Sequence, residues 1–266
     1  MSKNSSKKIE LRQGEVLVFE VGAVKVHAYQ SNDPMADEVF ILEKDGRALV
    51  IEAPCFVDSI AELNEYVRSL PVKVEGTLLS YHMAGATFLP DVPVYATRAA
   101  DEFAHSGGGK ALVTGFGTTF GASFDATIPT VTNVIEPGEL ELAGFRLNIV
   151  ETANAFDIEI PELNAVYIHM LGHDVHSIVA GPEDADAQLA RLREIIASGA
   201  NLVLSSHYVP EDDADVRTKV NYLEALKTFA SWNTTADAFK QAVQQTFPNY
   251  NGANYLDMTA GFFFPA

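Results

Sequence analysis

Residues 40–52, FILEKDGRALVIE, define how the fold begins. Two apolar runs flank Asp45-Gly46, a dipeptide that is typical of the tight turn of an antiparallel β-hairpin. Residues 59–70 follow with apolar side chains at helical spacing, which predicts an amphipathic helix that ends before Pro71. An apolar strand comes next. The pattern therefore predicts a change from antiparallel β-structure to the strand-helix-strand alternation of an α/β fold.

The rest of the chain continues this alternation. Residues 15–29 are β-rich, and we predict strands at residues 72–79, 92–96, 131–135, 139–142, 145–151, 164–169 and 201–205, and helices at residues 98–104, 182–198, 216–230 and 235–246. Residues 1–9 are expected to form a disordered tail, and residues 10–266 a single domain with a helical extension from about residue 211. Six glycines within residues 106–123 predict a loop, either a flexible flap over a site or a plain surface loop.

The composition excludes several classes of partner. The 266 residues include 18 lysines and arginines against 36 aspartates and glutamates, which gives a net charge of −18. A chain this acidic lacks the positive surface that nucleic acids and anionic membranes require, so neither is expected as a partner. At 47% hydrophobic residues the chain is predicted to be globular, and no apolar run is long enough for a membrane span. The N-terminus lacks the apolar segment of a secretory signal and Cys55 is the one cysteine, which predicts a cytoplasmic protein without internal disulfides.

Four histidines lie at, or just beyond, the carboxyl ends of predicted strands: His82, His169, His173 and His207. Ligands of α/β sheets bind at this edge, so these side chains are expected to converge. Neutral imidazole is the commonest metal ligand, and the set predicts a site for one divalent ion, Zn, Fe or Mn. The alternative is that each histidine is simply a hydrogen-bonded polar residue at the end of a strand.

Carboxylates and a thiol add further candidates. In residues 155–163, AFDIEIPEL, Asp157 and Glu159 alternate with apolar residues and share one face of the segment. They would ligate a metal or act as a general base, or they would form the solvated face of a half-exposed strand. Cys55 follows an apolar strand and could be a nucleophile, but no sequence feature supplies it with a base.

The order of these features resembles the metallo-β-lactamase fold superfamily. Residues 40–52 resemble its opening hairpin, and residues 74–86, VEGTLLSYHMAGA, occupy the place of its principal metal motif. Residues 202–210, LVLSSHYVP, resemble the segment that contains its last ligand histidine. The resemblance covers most of residues 15–210. It implies an αββα sandwich of two mixed β-sheets flanked by helices, with a metal site at one edge.

The sequence departs from that family at the metal motif itself. Where the family has H-x-H-x-D-H, this chain has His82 and no aspartate. The next ligand position, near residues 152–154, reads TAN, and the bridging aspartate is missing near His169. Only His207 matches a ligand position cleanly. The resemblance therefore implies a divergent member without a standard dinuclear zinc centre.

Two functions follow from this divergence. In the first, the protein is a hydrolase-like enzyme that acts on a small molecule, with a rebuilt mononuclear metal site of histidines and with Tyr81 and Asp157 in catalysis. In the second, it is a metal-free, degenerate homologue that binds a small ligand or partner without catalysis. The several unusual residues at the expected site favour the first function, because a decayed site would drift more readily to apolar residues.

The C-terminal residues 261–266, GFFFPA, contain three consecutive phenylalanines. Packing into the core is the default expectation. An exposed run of this kind would be unusual in a monomer, so a homodimer contact is a further prediction, and a pocket lining is a third option.

Overall fold

The structure is a computed structural model that describes residues 6–265, and its strands form two mixed β-sheets. The first sheet has eight strands in chain order: β1 (Lys7–Glu10), β2 (Gly14–Val21), β3 (Val24–Ser31), β4 (Glu38–Lys44), β5 (Arg47–Ile51), β6 (Lys73–Leu78), β7 (Val94–Thr97) and β8 (Asn133–Ile135). Pairing is antiparallel from β1 to β5 and parallel from β5 to β8. Asp45 and Gly46 both have positive φ, at 51° and 73°, which confirms the predicted hairpin turn.

The second sheet contains five strands and shares a hydrophobic core with the first. Its order is β13 (Leu202–Ser205), β12 (Ala165–Ile168), β11 (Phe156–Ile160), β10 (Phe145–Glu151) and β9 (Gly138–Leu142), and only β12 and β13 are parallel. Phe40 and Leu49 of the first sheet join Phe145, Phe156 and Tyr167 of the second in one buried cluster. The alternating apolar residues of both sheets thus meet in this core.

Seven α-helices accompany the sheets within residues 6–265, and together they confirm the predicted α/β class with two mixed sheets. They are α1 (Val57–Ser69), α2 (Arg98–Ser106), α3 (Gly108–Phe120), α4 (Pro182–Ser198), α5 (Asp213–Trp232), α6 (Ala236–Thr246) and α7 (Ala253–Phe263). Helix α1 packs on the core through Ile60, Leu63 and Val67, as its periodicity predicts. Among the described residues, no helix has both the length and the apolar character needed to cross a lipid bilayer.

The chain divides into two units. The first comprises the described residues up to Met170 together with Leu202–Pro210, and so contains both sheets and the helices α1 to α3. The second comprises Leu171–Asn201 and the described residues from Glu211 onward, with the helices α4 to α7. The helical extension was predicted to begin at about residue 211. Helix α4 of the second unit already begins at Pro182, so the helices outside the first unit start earlier in the chain than predicted. The prediction of one single domain stays a prediction.

The structure corrects the predicted loop at residues 106–123. Most of this segment is helix α3, and Gly121–Ser123 form a short 3₁₀ turn. Its apolar residues Val113, Phe116 and Phe120 follow a helical spacing and pack against a buried apolar cluster. This packing outweighs the low helix propensity of glycine, which costs about 1 kcal/mol per interior position.

Two further expectations concern the ends of the chain. Residues 7–9 belong to strand β1, which pairs antiparallel with β2, so the predicted tail is wrong there, since β2 offers Lys7–Glu10 an open edge. Residues 1–5 lie outside the described residues. Near the C-terminus, Phe263 and Phe264 pack on Phe239 of α6 with ring centroids 5.6 and 5.5 Å apart, which matches the core-packing expectation. Phe262 is exposed, and the homodimer stays a prediction.

Candidate metal centre

Three of the predicted histidines meet at the carboxyl ends of their strands. His82 follows β6, His169 follows β12, and His207 lies two residues beyond β13. The parallel pairing of β12 and β13 sets the last two side by side, and the amide of Ser206 donates to the carbonyl of His169 at 2.9 Å. His82 Nε2 lies 3.1 Å from His207 Nε2, and one nitrogen from each of the three rings lies within 4.8 Å of the others. We call His82, His169 and His207 the histidine triad.

Burial keeps the triad uncharged at neutral pH. Burial lowers the pKa of His82, and burial together with the neighbouring rings lowers the pKa of His169 to about 3. Burial and His82 lower the pKa of His207 to about 4. A neutral imidazole keeps the lone pair that a metal ion requires. Nitrogens bound to one tetrahedral zinc ion lie roughly 3.3 Å apart, so the 3.1 Å spacing of His82 and His207 fits such an ion.

A buried carboxylate stands behind two of these rings. Asp37, in the connection between β3 and β4, is fully buried, and its Oδ1 lies 3.5 Å from His82 Nδ1 and 3.6 Å from His207 Nδ1. Burial raises the pKa of Asp37 to about 7, against the opposing effect of His207. A carboxylate behind a metal-bound histidine orients the ring and strengthens it as a ligand. Sequence reasoning missed Asp37, because residues 31–38, SNDPMADE, have the composition of a polar turn.

A second carboxylate holds the backbone of the loop that presents His82. Glu52 is fully buried in a left-handed conformation, with φ at 68°. Its oxygens accept hydrogen bonds from the amides of Ser80 at 3.3 Å, Tyr81 at 2.8 Å and His82 at 3.0 Å, and from the hydroxyl of Tyr167 at 2.6 Å. Because the carboxylate binds three consecutive amides, it fixes the direction in which His82 leaves β6. The sequence signal that could have identified Glu52 is a single acid directly after an apolar strand, in residues 48–52, ALVIE.

The predicted catalytic residues Tyr81 and Asp157 contact each other beside the triad. The Tyr81 hydroxyl donates to Asp157 Oδ1 at 2.7 Å. The Tyr81 ring stacks on the His169 ring, with centroids 4.5 Å apart and planes 6° apart. Burial, and after it the charge of Asp157, raises the pKa of Tyr81 far above its usual value, so the phenol stays protonated. Tyr81 is therefore a hydrogen-bond donor, and Asp157 is the acceptor of the pair.

Comparison with solved structures identifies the architecture around this site. A metallo-β-lactamase family protein from Thermus thermophilus superposes with a TM-score of 0.62 at 14% identity, over 91% of this chain and 92% of that one. A metallo-β-lactamase from Erythrobacter litoralis gives a TM-score of 0.56 at 14% identity, over 82% of this chain and 99% of that one. This chain has the metallo-β-lactamase fold. No protein-family model and no curated protein sequence matches it.

A third similar structure of the metallo-β-lactamase fold is a stereoselective inverting sec-alkylsulfatase from Pseudomonas sp.. It gives a TM-score of 0.61 at 15% identity, over 93% of this chain and 49% of that one. The chain thus spans about half the length of the alkylsulfatase.

Within this metallo-β-lactamase fold, the loop after β6 has a glycine where a bulkier residue could not fit. Gly85 has φ at +75°, and a Cβ there would lie 2.3 Å from the carbonyl oxygen of Pro54. The carboxylate that faces the rings of His82 and His207 comes from Asp37, on a different loop. The site is therefore built from three histidines of three strand ends and one buried acid, and this donor set fits a single divalent ion.

His173, the fourth predicted ligand, does not join this group. It lies in the second unit, where its Nδ1 is 2.8 Å from Glu211 Oε1 and its Nε2 is 3.5 Å from Asp215 Oδ1. Both ring nitrogens thus face carboxylates, and with these partners the pKa of His173 is raised despite the opposing effect of its partial burial. His173, Glu211 and Asp215 thus form a separate group that could hold a metal ion, and the expectation that His173 assists the triad stays a prediction. The segment of chain that begins with β12 ends in a turn at Gly172, whose φ is 57°.

Cys55, the candidate nucleophile, is buried, and its Sγ donates to the carbonyl oxygen of Ala53 at 3.9 Å. Burial raises the pKa of its thiol well above the usual value, and nearby carboxylates such as Asp37 add to the effect. A thiol in this state stays protonated and is a poor nucleophile at neutral pH.

Proposed function

We propose that this protein is a hydrolase-like enzyme that uses one divalent metal ion, bound by His82, His169 and His207, to act on a small molecule. The observation that carries the proposal is the convergence of three uncharged imidazoles on one point, with the buried Asp37 behind two of them. Burying Asp37 without compensation costs several kcal/mol, in the order of magnitude known for isolated carboxylates. Such a cost is typical of a functional site.

The residues around the triad have separate roles in this proposal. A bound divalent ion would polarise the scissile group of the substrate or lower the pKa of a water molecule. Asp37 would orient the rings of His82 and His207 through their Nδ1 atoms. Tyr81 would hold the His169 ring by stacking, and Asp157 would accept a proton from the attacking water, since the Tyr81 phenol stays protonated.

Support for hydrolysis comes from the solved structures with this fold. One is a sec-alkylsulfatase and two are metallo-β-lactamase proteins. At 14 to 16% identity these similarities establish the fold, and the reaction of this chain rests on its own residues. We propose hydrolysis of an ester-like bond, because three neutral ligands leave a bound divalent ion with its positive charge, which suits an anionic leaving group.

Metal binding is tested first on the purified protein. We expect about one equivalent of zinc after dialysis against zinc, measured by plasma mass spectrometry, and loss of this binding in His207→Ala. His105→Ala is the matched control, because His105 is an exposed histidine of α2 in the same unit. A zinc content below about a tenth of an equivalent in the wild-type protein would contradict the metalloenzyme.

Catalysis is tested with chromogenic esters of carboxylic, sulfuric and phosphoric acids on the zinc-loaded protein. We expect Asp157→Asn to lower kcat at least about a hundred-fold while zinc content stays near one equivalent. Equal activity of Asp157→Asn and wild type would remove Asp157 from the mechanism. Full zinc binding without turnover of any ester, together with a metabolite that co-purifies, would support the alternative of a binding protein.

A further inference from the structure

Helix α3 is weakly built for a helix of its length. Residues 108–120 contain four glycines, no side chain caps the N-terminus, and neither the first nor the last turn has a charge that complements the helix dipole. Gly115 has nothing within 4 Å of its Cβ position, so packing does not require glycine there. Each interior glycine destabilises the helix relative to alanine. Helix α3 therefore depends on its tertiary contacts.

Those contacts form an apolar cluster of aromatic rings. Phe116 and Phe120 of α3 pack on Phe124, with ring centroids 5.9 and 6.1 Å apart, and Phe120 packs edge-on against Phe56 at 5.1 Å. Val113 completes the apolar face of the helix. These α3 side chains are only partly buried, whereas Phe56 and Phe124 beneath them are buried. Moving α3 would therefore uncover an apolar floor.

This floor adjoins the histidine triad. Met35, which packs against the cluster, has its carbonyl oxygen 3.2 Å from His207 Nδ1. Ala84, a buried member of the cluster, follows His82 by two residues. Cys55, another member, is close enough to Asp37 for the carboxylate to raise the pKa of its thiol. The apolar surface beneath α3 is thus continuous with the residues that support the proposed metal ligands.

We propose that α3 is a lid, and that the floor beneath it, formed by Met35, Phe56, Ala84 and Phe124, binds the hydrocarbon part of an amphipathic substrate. The polar, hydrolysable end of the substrate then faces the triad, and Val113, Phe116 and Phe120 close over its apolar part. This assignment of substrate class rests on the proposed hydrolase function, whereas the lid itself does not. Apolar burial favours such a complex by roughly four-fold per methylene, so the enzyme should prefer long chains.

The lid is tested first without metal or substrate, by hydrogen exchange. Amides of α3 should exchange at least about ten-fold faster than those of α1, after correction for intrinsic rates, because α3 opens without global unfolding. A double variant, Gly117→Cys with Ala126→Cys, can lock the helix, since a Cβ at position 117 would lie 3.0 Å from the Ala126 Cβ and a shift of roughly 0.5–1 Å brings the pair to disulfide geometry. Oxidation of this variant should slow exchange in α3, and reduction with dithiothreitol should restore it. Equal protection of α3 and α1 in the wild type would overturn the lid.

The substrate class is tested with p-nitrophenyl acetate and p-nitrophenyl octanoate on the zinc-loaded protein. We expect kcat/KM to favour octanoate by at least about ten-fold, and oxidation of the cysteine pair to remove most of this preference while acetate turnover changes little. Phe116→Ala should also reduce the preference. Leu112→Ala, on the exposed side of the same helix, is the matched control and should keep it. Turnover of both esters without chain-length preference would overturn the apolar subsite and leave the hydrolase intact.

A failure of the proposed hydrolase function can be distinguished from a failure of the lid or of the apolar subsite. If zinc does not bind, ester turnover is absent, yet hydrogen exchange still reports the opening of α3. Binding of octanoate, followed by calorimetry, then tests the apolar floor directly. We expect octanoate to bind the reduced cysteine variant at least about five-fold more tightly than the oxidised one. Equal affinity for both forms would overturn the subsite.

Discussion

The carboxylate of Glu52 offers the sharpest test of how the loop that presents His82 is held. Glu52→Gln keeps the size of the side chain but replaces one oxygen with an amino group, which would face the amide N–H of His82. Hydrogen bonds to a charged acceptor contribute about 1.5–3 kcal/mol each, and neutral ones about 0.5–1.5 kcal/mol. Losing one charged bond and turning three others into neutral ones sums to about 4.5–7.5 kcal/mol. Burying an amide costs several kcal/mol less than burying a carboxylate, which offsets much of this sum, so we expect a net loss of about 2–3 kcal/mol.

Urea denaturation of the metal-free protein, followed by circular dichroism, measures this loss. Glu159→Gln is the matched control, because Glu159 is a half-buried acid of β11 that accepts one hydrogen bond, from Asn148 at 2.8 Å. We expect the control to change the free energy of unfolding by less than about 1 kcal/mol. A Glu52→Gln protein as stable as wild type would refute the reasoning that this carboxylate organises the loop.

Three other predictions follow from buried polar groups. Asp37→Asn should weaken zinc binding about 10–100-fold in a calorimetric titration, while the metal-free protein becomes no less stable, because its buried carboxylate is costly; a drop in metal-free stability would contradict this. Ser80→Ala should cost about 2 kcal/mol in urea denaturation, since Ser80 Oγ donates to the Phe156 carbonyl at 2.5 Å and accepts from its amide at 2.8 Å; an unchanged midpoint would argue against these bonds. Burial lowers the pKa of Lys219 to about 7. Between pH 7 and 10 the unfolded chain therefore binds more protons than the folded one. The free energy of unfolding should rise with pH across that window, by at most about 1.4 kcal/mol per pH unit. Lys219→Met should abolish the rise, and a rise that persists in the variant would assign it to another group.

Local patterns in the sequence were sufficient to predict most of the strands and the hairpin, although β1 was expected to be a tail. Asp45 and Gly46 both adopt positive φ, as the tight turn of a hairpin requires, and few other dipeptides tolerate this. The apolar runs on either side pair as the two strands of the hairpin. The triad was predictable for a related reason, because His82, His169 and His207 each follow an apolar strand whose carboxyl end has a known direction.

The carboxylates that support the triad were not predictable from such patterns. Asp37 and Glu52 become buried only when distant segments close over them, and nothing local distinguishes a buried acid from a solvated one. The partners of His173 were not predictable either, since its position near β12 suggested a place beside the triad, while its two partner carboxylates come from residues after 210. Helix α3 was missed because glycine content was weighed above the spacing of Val113, Phe116 and Phe120.

The pairing of β12 with β13 also has a consequence for how the site is made in the cell. Parallel strands cannot be joined by a tight turn, and here the whole stretch from Leu171 to Asn201 is synthesised between them. His82 and His169 therefore leave the ribosome well before His207 does. A nascent chain offers a metal ion only two of its three imidazoles until β13 has emerged and paired. In the proposed metalloenzyme, complete loading of the ion is thus expected only after β13 has joined the second sheet.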